Sequence, residues 1–179
     1  MTQNTSISVY ARICNLYNLQ PDKNQIGQTG ESFVAFVFCY FPFFNVYFLG
    51  DKAPIEDFFC EINDENSPYP FLIQVKSTTG GTTGAGSLNA TLPEDYKNAL
   101  INRPIPTYLA GFDVDKMEVY LAPVFDPSVK YGVIPNNHVL RLMNRVRMAN
   151  EIELLKKDVI NYWENSNILP YKTTYKSLL

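Results

Sequence analysis

The sequence predicts an α/β domain whose elements run helix, three strands, helix, two strands. Three observations carry this expectation. A near-continuous apolar stretch from Ser32 to Leu49 is split by Pro42, which suits a buried helix followed by a strand. Short β-rich segments follow, separated by turn residues. A charge-free Gly/Thr stretch, T-T-G-G-T-T-G-A-G-S, then leads into a second helical pattern.

In chain order, residues 1–25 form a polar N-terminal segment with a short helix expected around Val9 to Tyr17. The first main helix should begin between Ile26 and Gly30 and run to Tyr40. Phe33, Val34, Phe36, Val37, Phe38 and Tyr40 cover nearly every face of it, so it is expected to be buried all round. Strands are expected at Asn45 to Gly50, Ile55 to Ile62 and Phe71 to Ser77, with a polar turn over Asn63 to Pro70, and the three can form a meander. Thr78 to Ser87 reads as a mobile loop. A helix should start near Thr91, with Glu94 at capping-box spacing and Pro93 in the first turn. Strands at Thr107 to Phe112 and Glu118 to Ala122 flank a turn at Asp113 to Lys116. Beyond them, two amphipathic helices are expected, Asn137 to Met148 and Asn150 to Trp163, the second with a stripe of Ile152, Leu155, Val159 and Tyr162. This divides the chain into an N-terminal segment (1–25), an α/β core (26–125) and a C-terminal helical extension packed on the core (126–179).

Composition excludes several classes of function. The chain of 179 residues carries 15 Lys and Arg against 18 Asp and Glu, a net charge of −3, so it has no generally basic nucleic-acid coat. Charge is uneven, however: residues 141–179 hold seven basic and four acidic side chains. Arg141, Arg145 and Arg147 in that segment read either as a solvated helix face or as a phosphate-facing patch. Three cysteines, Cys14, Cys39 and Cys60, suit neither a disulfide framework nor a four-ligand zinc site, and read as small hydrophobes. The single histidine, His138, excludes chemistry that needs two. The opening M-T-Q-N-T-S-I-S has no secretory pattern, and the broken apolar run argues against a membrane span. A cytoplasmic location is therefore expected.

The third strand, F-L-I-Q-V-K-S, is unusual. Gln74 and Lys76 are two apart and share a face, in a segment apolar enough to be interior. A lysine there needs a carboxylate or a cleft, and Asp57, in the apolar company of Ile55, Phe58 and Phe59, can supply the carboxylate if the two strands pair. Asp57 and an oxygen near Gln74 suit a hard divalent cation. Such a cation polarises a phosphodiester and activates water, while Lys76 orients that water or stabilises developing charge. Glu31, in the first turn of the buried helix, is a further candidate ligand or base, or simply a helix-dipole partner. Glu61 shares the face of Asp57 and reads as a solvated strand end. The alternative for Asp57 and Lys76 is a structural ion pair.

The stretches T-G-E-S-F-V-A-F (Thr29 to Phe36), P-I-E-D-F-F-C-E-I (Pro54 to Ile62) and F-L-I-Q-V-K-S-T (Phe71 to Thr78) resemble the PD-(D/E)XK nuclease superfamily, with P-T-Y-L-A-G-F-D-V (Pro106 to Val114) similar to its next strand. More narrowly, the pattern resembles an uncharacterised prokaryotic nuclease-like family with a G-E helix and a Q-V-K-S strand. The resemblance implies a restriction-endonuclease-like core: a mixed central sheet flanked by helices in αβββαβ order. It implies Asp57, Gln74 and Lys76 as the motif residues with Glu31 as the helix glutamate, Mg²⁺ or Mn²⁺ held by Asp57, Gln74 and Glu31, and nucleic acid, chiefly DNA, as substrate in defence, repair or mobile-element settings. Gln74 stands where Asp or Glu is usual, and Glu56 precedes Asp57 where Gly or Pro is usual; the Glu56 side chain is expected to face away from Asp57. The non-enzymatic alternative is an inactive nuclease-fold module that binds a protein or nucleic acid, its added C-terminal helices suiting a homodimer surface.

Overall fold

A computed structural model describes residues 16, 22–50, 53, 55–63, 68–83, 87–90, 92–124, 134–135, 139–141 and 145–165. The helix expected around Val9 to Tyr17, His138 and Cys14 lie outside the described residues, Leu16 apart.

Helix α1 spans Lys23–Cys39. It starts earlier than its apolar residues suggest because Asp22 caps it, the side chain accepting from the Asn24 N–H at 3.0 Å. It ends before Pro42. Gly30, Val34, Val37 and Phe38 are buried, but Phe36 is 55% exposed and Tyr40 52%. The expectation of a helix buried all round is thus corrected: α1 lies on one face of a sheet, which can cover only one side of it.

Strands β1 (Phe44–Phe48), β2 (Phe58–Asn63) and β3 (Pro68–Thr78) form the expected meander. A short β4 (Ser87–Leu88) precedes helix α2 (Glu94–Ile101) and the fully buried strand β5 (Thr107–Asp113). β6 (Glu118–Pro123), β7 (Ile134–Pro135) and β8 (Val139–Arg141) lead to helix α3 (Arg145–Glu164). The main sheet has six strands in the order β1-β2-β3-β5-β6-β8, and only the β3–β5 pair is parallel. That pair needs a crossover, which α2 supplies. β4 and β7 form a separate two-stranded ribbon.

Helices flank both faces of this mixed sheet. One core joins Val34, Val37 and Phe38 of α1 and Met148, Ile152, Leu155 and Val159 of α3 to Phe58, Phe71, Ile73, Tyr108 and Phe112 of the sheet. A second core, under α2, gathers Leu88, Leu92, Leu100, Leu109, Tyr120 and Ala122.

Three further expectations change. α2 begins at Glu94 with Pro93 at its N-cap position and no side-chain cap, later than the start expected near Thr91, which itself lies outside the described residues. In the Gly/Thr loop, Thr82 bridges Leu88 and the Gly81 carbonyl accepts from the Asn89 N–H at 2.8 Å, so its described part is tied to β4. The first of the two C-terminal helices is replaced by β8, and the second begins at Arg145, which puts Asn150 and Glu153 inside one continuous helix. Val139 and Leu140 pair with Tyr120 and Val119 at the edge of the sheet; β-branched Val139 and its neighbours complete a sheet edge that sequence periodicity alone does not reveal. The stripe Ile152, Leu155, Val159 and Tyr162 is buried as expected. Cys60 is buried in the core, whereas Cys39, read from sequence as a small hydrophobe, is exposed. Among the described residues no helix is long and apolar enough to cross a membrane.

Candidate functional site

The site follows from a length mismatch. β2 pairs with β3 only as far as Phe58↔Ile73, while β3 runs on to Thr78 beside β5. Beyond Ile73 the β2-side edge of β3 therefore has no strand partner among the described residues. Asp57, the residue just before β2, covers the start of that edge. Its backbone N–H donates to the Ile73 carbonyl at 3.0 Å. Its Oδ2 accepts from the Val75 N–H at 2.5 Å and from Gln74 Nε2 at 2.6 Å. A carboxylate here does for the orphaned N–H of Val75 what another strand would do.

Gln74 is 3% exposed. Its Nε2 also donates to the Val75 carbonyl at 3.0 Å, and its Oε1 is buried without a hydrogen-bond partner. Lys76, on the same face, is half-buried. It makes no ion pair among the described residues, and its Nζ lies 5.7 Å from the centroid of the Tyr96 ring of α2. Among the described residues, Asp57 and Lys76 do not form the structural ion pair given as the alternative. α1 closes the other side of the cleft with Lys23, Gly27 and Glu31, spaced by four and so on one helix face. The result is an open cleft of about 560 Å³ in which Glu31, Asp57, Gln74 and Lys76 meet, with Ser77, Thr78 and Thr79 along its floor.

Burial pushes the Asp57 carboxyl up to about 6, and the negative charges of Glu31 and Glu56 add to the rise, against the Val75 N–H and the Lys76 charge, which lower it. Glu56 itself faces away, as expected, its Oε1 accepting from Arg103 Nε at 2.5 Å. Glu61 lies beside Tyr47, whose hydroxyl it holds above its ordinary pKa by hydrogen bonding. It does not line the cleft. Arg141 ends β8 and Arg145 and Arg147 open α3; their side chains lie outside the described residues, and with them both readings of that segment, a solvated helix face and a phosphate-facing patch.

In the cleft, or against the residues that line it, stand side chains and a glycine that motif reading did not single out. Lys23 was legible from its spacing of eight to Glu31, two helical turns along one face. Tyr96 was not, because a crossover helix brings it over β3. Gly30 was also hidden: a Cβ there would stand 1.8 Å from Ser77 Oγ, so only glycine lets α1 lie this close to β3.

The oxygens available to a cation are the carboxylates of Asp57 and Glu31, the Val75 carbonyl and Gln74 Oε1. All are hard donors of the type Mg²⁺ or Mn²⁺ takes, and the buried, unpartnered Oε1 is the kind of atom such an ion would satisfy. Among the described residues no group of three His, Cys, Asp or Glu side chains is placed to hold a metal, so a cation here would depend on the amide and the backbone as well as the two acids. No protein-family model, no curated protein and no solved structure matches this chain.

Proposed function

We propose that this protein is a divalent-cation-dependent nuclease of the PD-(D/E)XK kind, with a restriction-endonuclease-like core, hydrolysing phosphodiester bonds in nucleic acid and DNA in the first instance. The observation that carries the reading is the meeting of Glu31, Asp57, Gln74 and Lys76, a lysine without an ion-pair partner among the described residues, in one open cleft. Asp57, Glu31, Gln74 and the Val75 carbonyl would hold Mg²⁺ or Mn²⁺. The ion supplies Lewis acidity toward a phosphoryl oxygen and an acidified water.

The chain's own residues do the rest. Asp57 and Glu31 provide the negative charge that draws a cation into the cleft. Lys76, steadied over Tyr96, stabilises the charge that builds on the phosphoryl oxygens or orients the attacking water. Lys23 places a second positive charge on the α1 side of the cleft, where it holds a neighbouring phosphate.

Cleavage of plasmid and oligonucleotide DNA with Mg²⁺ or Mn²⁺ tests this. Wild type is expected to cut only with the cation. Asp57→Ala and Lys76→Met are each expected to lower the rate by about 10²-fold or more, and Lys76→Met, which keeps the packing of the aliphatic stem, is expected to leave the fold intact. Well-folded wild type that neither cuts nor binds either cation would sink the reading. The second reading, an inactive module that binds a partner, is favoured by the Gln74 amide, which ties Asp57 and the Val75 carbonyl together without any ion.

A further inference from the structure

We infer that the side-chain amide of Gln74 itself fills the cation position of this cleft, so that cation entry and a half-turn of that amide are one event. The inference rests on the nuclease reading above and concerns how the site is kept when no cation is present.

Gln74 Nε2 stands 2.6 Å from Asp57 Oδ2 and 3.0 Å from the Val75 carbonyl oxygen. A cation held by those two oxygens would compete with the same two hydrogen bonds. The amide has nowhere else to go, since the residue is 3% exposed and its neighbours Ile73 and Val75 are buried in strand β3. It is left with two orientations about its last side-chain torsion, which exchange the nitrogen and the oxygen. In the one observed, both acceptors are served and Oε1 has no hydrogen-bond partner. In the other, Oε1 faces the two oxygens. With no cation present three acceptors crowd one another; with a cation present three oxygens converge on it. The cation thus inverts which orientation is favoured.

A chemical consequence follows for the choice of glutamine. An Asp or Glu at position 74 cannot donate to Asp57 and would hold the cation more tightly. It would also set two carboxylates against each other in the empty site. Glutamine keeps the empty site hydrogen-bonded at the cost of affinity, so the site fills only when the cation outcompetes two hydrogen bonds.

There is a rival arrangement. Asp57 Oδ1 has no hydrogen-bond partner among the described residues, and a cation on Oδ1 alone would leave Gln74 where it is.

The experiment uses the full chain labelled with ¹⁵N. The Gln74 side-chain amide pair is assigned by its disappearance in Gln74→Met, and MgCl₂ is titrated at pH 8. The pair is expected to start protected from hydrogen exchange. It should then shift and lose about tenfold or more of its protection, with the same midpoint as the backbone N–H of Val75, which reports on Asp57. Calorimetry of Gln74→Glu is expected to give Mg²⁺ binding about tenfold or more tighter than wild type. If the Val75 N–H titrates while the Gln74 pair stays fixed, the cation sits on Oδ1, and the inference falls while the nuclease reading stands. If neither wild type nor Gln74→Glu binds Mg²⁺ or Mn²⁺, both fall.

Discussion

Asp57 is an acid under opposed influences. Burial and the nearby Glu31 raise its pKa to about 6, although the Val75 N–H and Lys76 favour its charged form. Its folded value lies above the unfolded value of about 3.9. Between roughly pH 4 and 6 the folded state therefore holds more protons than the unfolded state, and stability falls as pH rises through that window. A shift of this size corresponds to about 3 kcal/mol, which partial exposure of the carboxyl trims to about 1–2 kcal/mol. Urea denaturation of wild type and Asp57→Asn at pH 4 and pH 7 checks this: wild type is expected to lose about 1–2 kcal/mol more than the variant. An equal loss in the two proteins would mean that Asp57 does not titrate as described. Mg²⁺ is expected to recover the difference at pH 7 and to do little at pH 4, because a protonated carboxyl is a poor ligand.

At the scale of elements, the site depends on how closely α1 lies against β3. Gly30 sets that distance: an added Cβ would overlap Ser77 Oγ and come within 3.0 Å of Ser77 Cβ and 3.3 Å of Phe112 Cδ1. Gly30→Ala is expected to cost about 1–3 kcal/mol through overpacking. Removing the nearest atom with Ser77→Ala should return part of that, so the double variant is expected to be more stable than the sum of the two single changes. Chemical denaturation of the four proteins in the cycle measures the coupling. Strict additivity would show that the contact is relieved some other way. Because Glu31 follows Gly30 directly, the same displacement is expected to weaken any cation binding in the cleft.

For the whole molecule, α3 belongs to the main core. Met148, Ile152, Leu155 and Val159 are at most 2% exposed and share one cluster with α1 and five strands. Trp163 Nε1 donates to the Pro70 carbonyl of β3 at 2.8 Å, and the Tyr108 hydroxyl of β5 to Asp158 Oδ2 at 2.6 Å. Leu155→Ala is therefore expected to cost about 2–5 kcal/mol, as for any central core leucine. Unfolding followed by the fluorescence of Trp163, the one tryptophan in the chain, should coincide with unfolding followed by far-ultraviolet circular dichroism. Separate midpoints would mean that α3 melts independently of the sheet.

The sequence alone determined the type and order of the main helices and strands between Lys23 and Pro123, though not their ends and not the short β4. Apolar periodicity, Pro42, and the turn residues between strands act over a few positions, and those positions are visible in the chain. It also brought Asp57, Gln74, Lys76 and Glu31 forward as a set, because charged or amide side chains in apolar company stand out. Only the tertiary structure decided that α3 completes the main core, that Val139 to Arg141 forms an edge strand, and that α1 leaves Phe36 in solvent. Each of these depends on what packs against the segment, and neither burial nor pairing across the sheet is written in local spacing. The same holds within the site. The spacing of 17 between Asp57 and Gln74 was legible, but the hydrogen bonds that join them depend on β2 stopping at Phe58 while β3 continues beside β5. That offset in strand length leaves one N–H edge open, and Asp57 fills it.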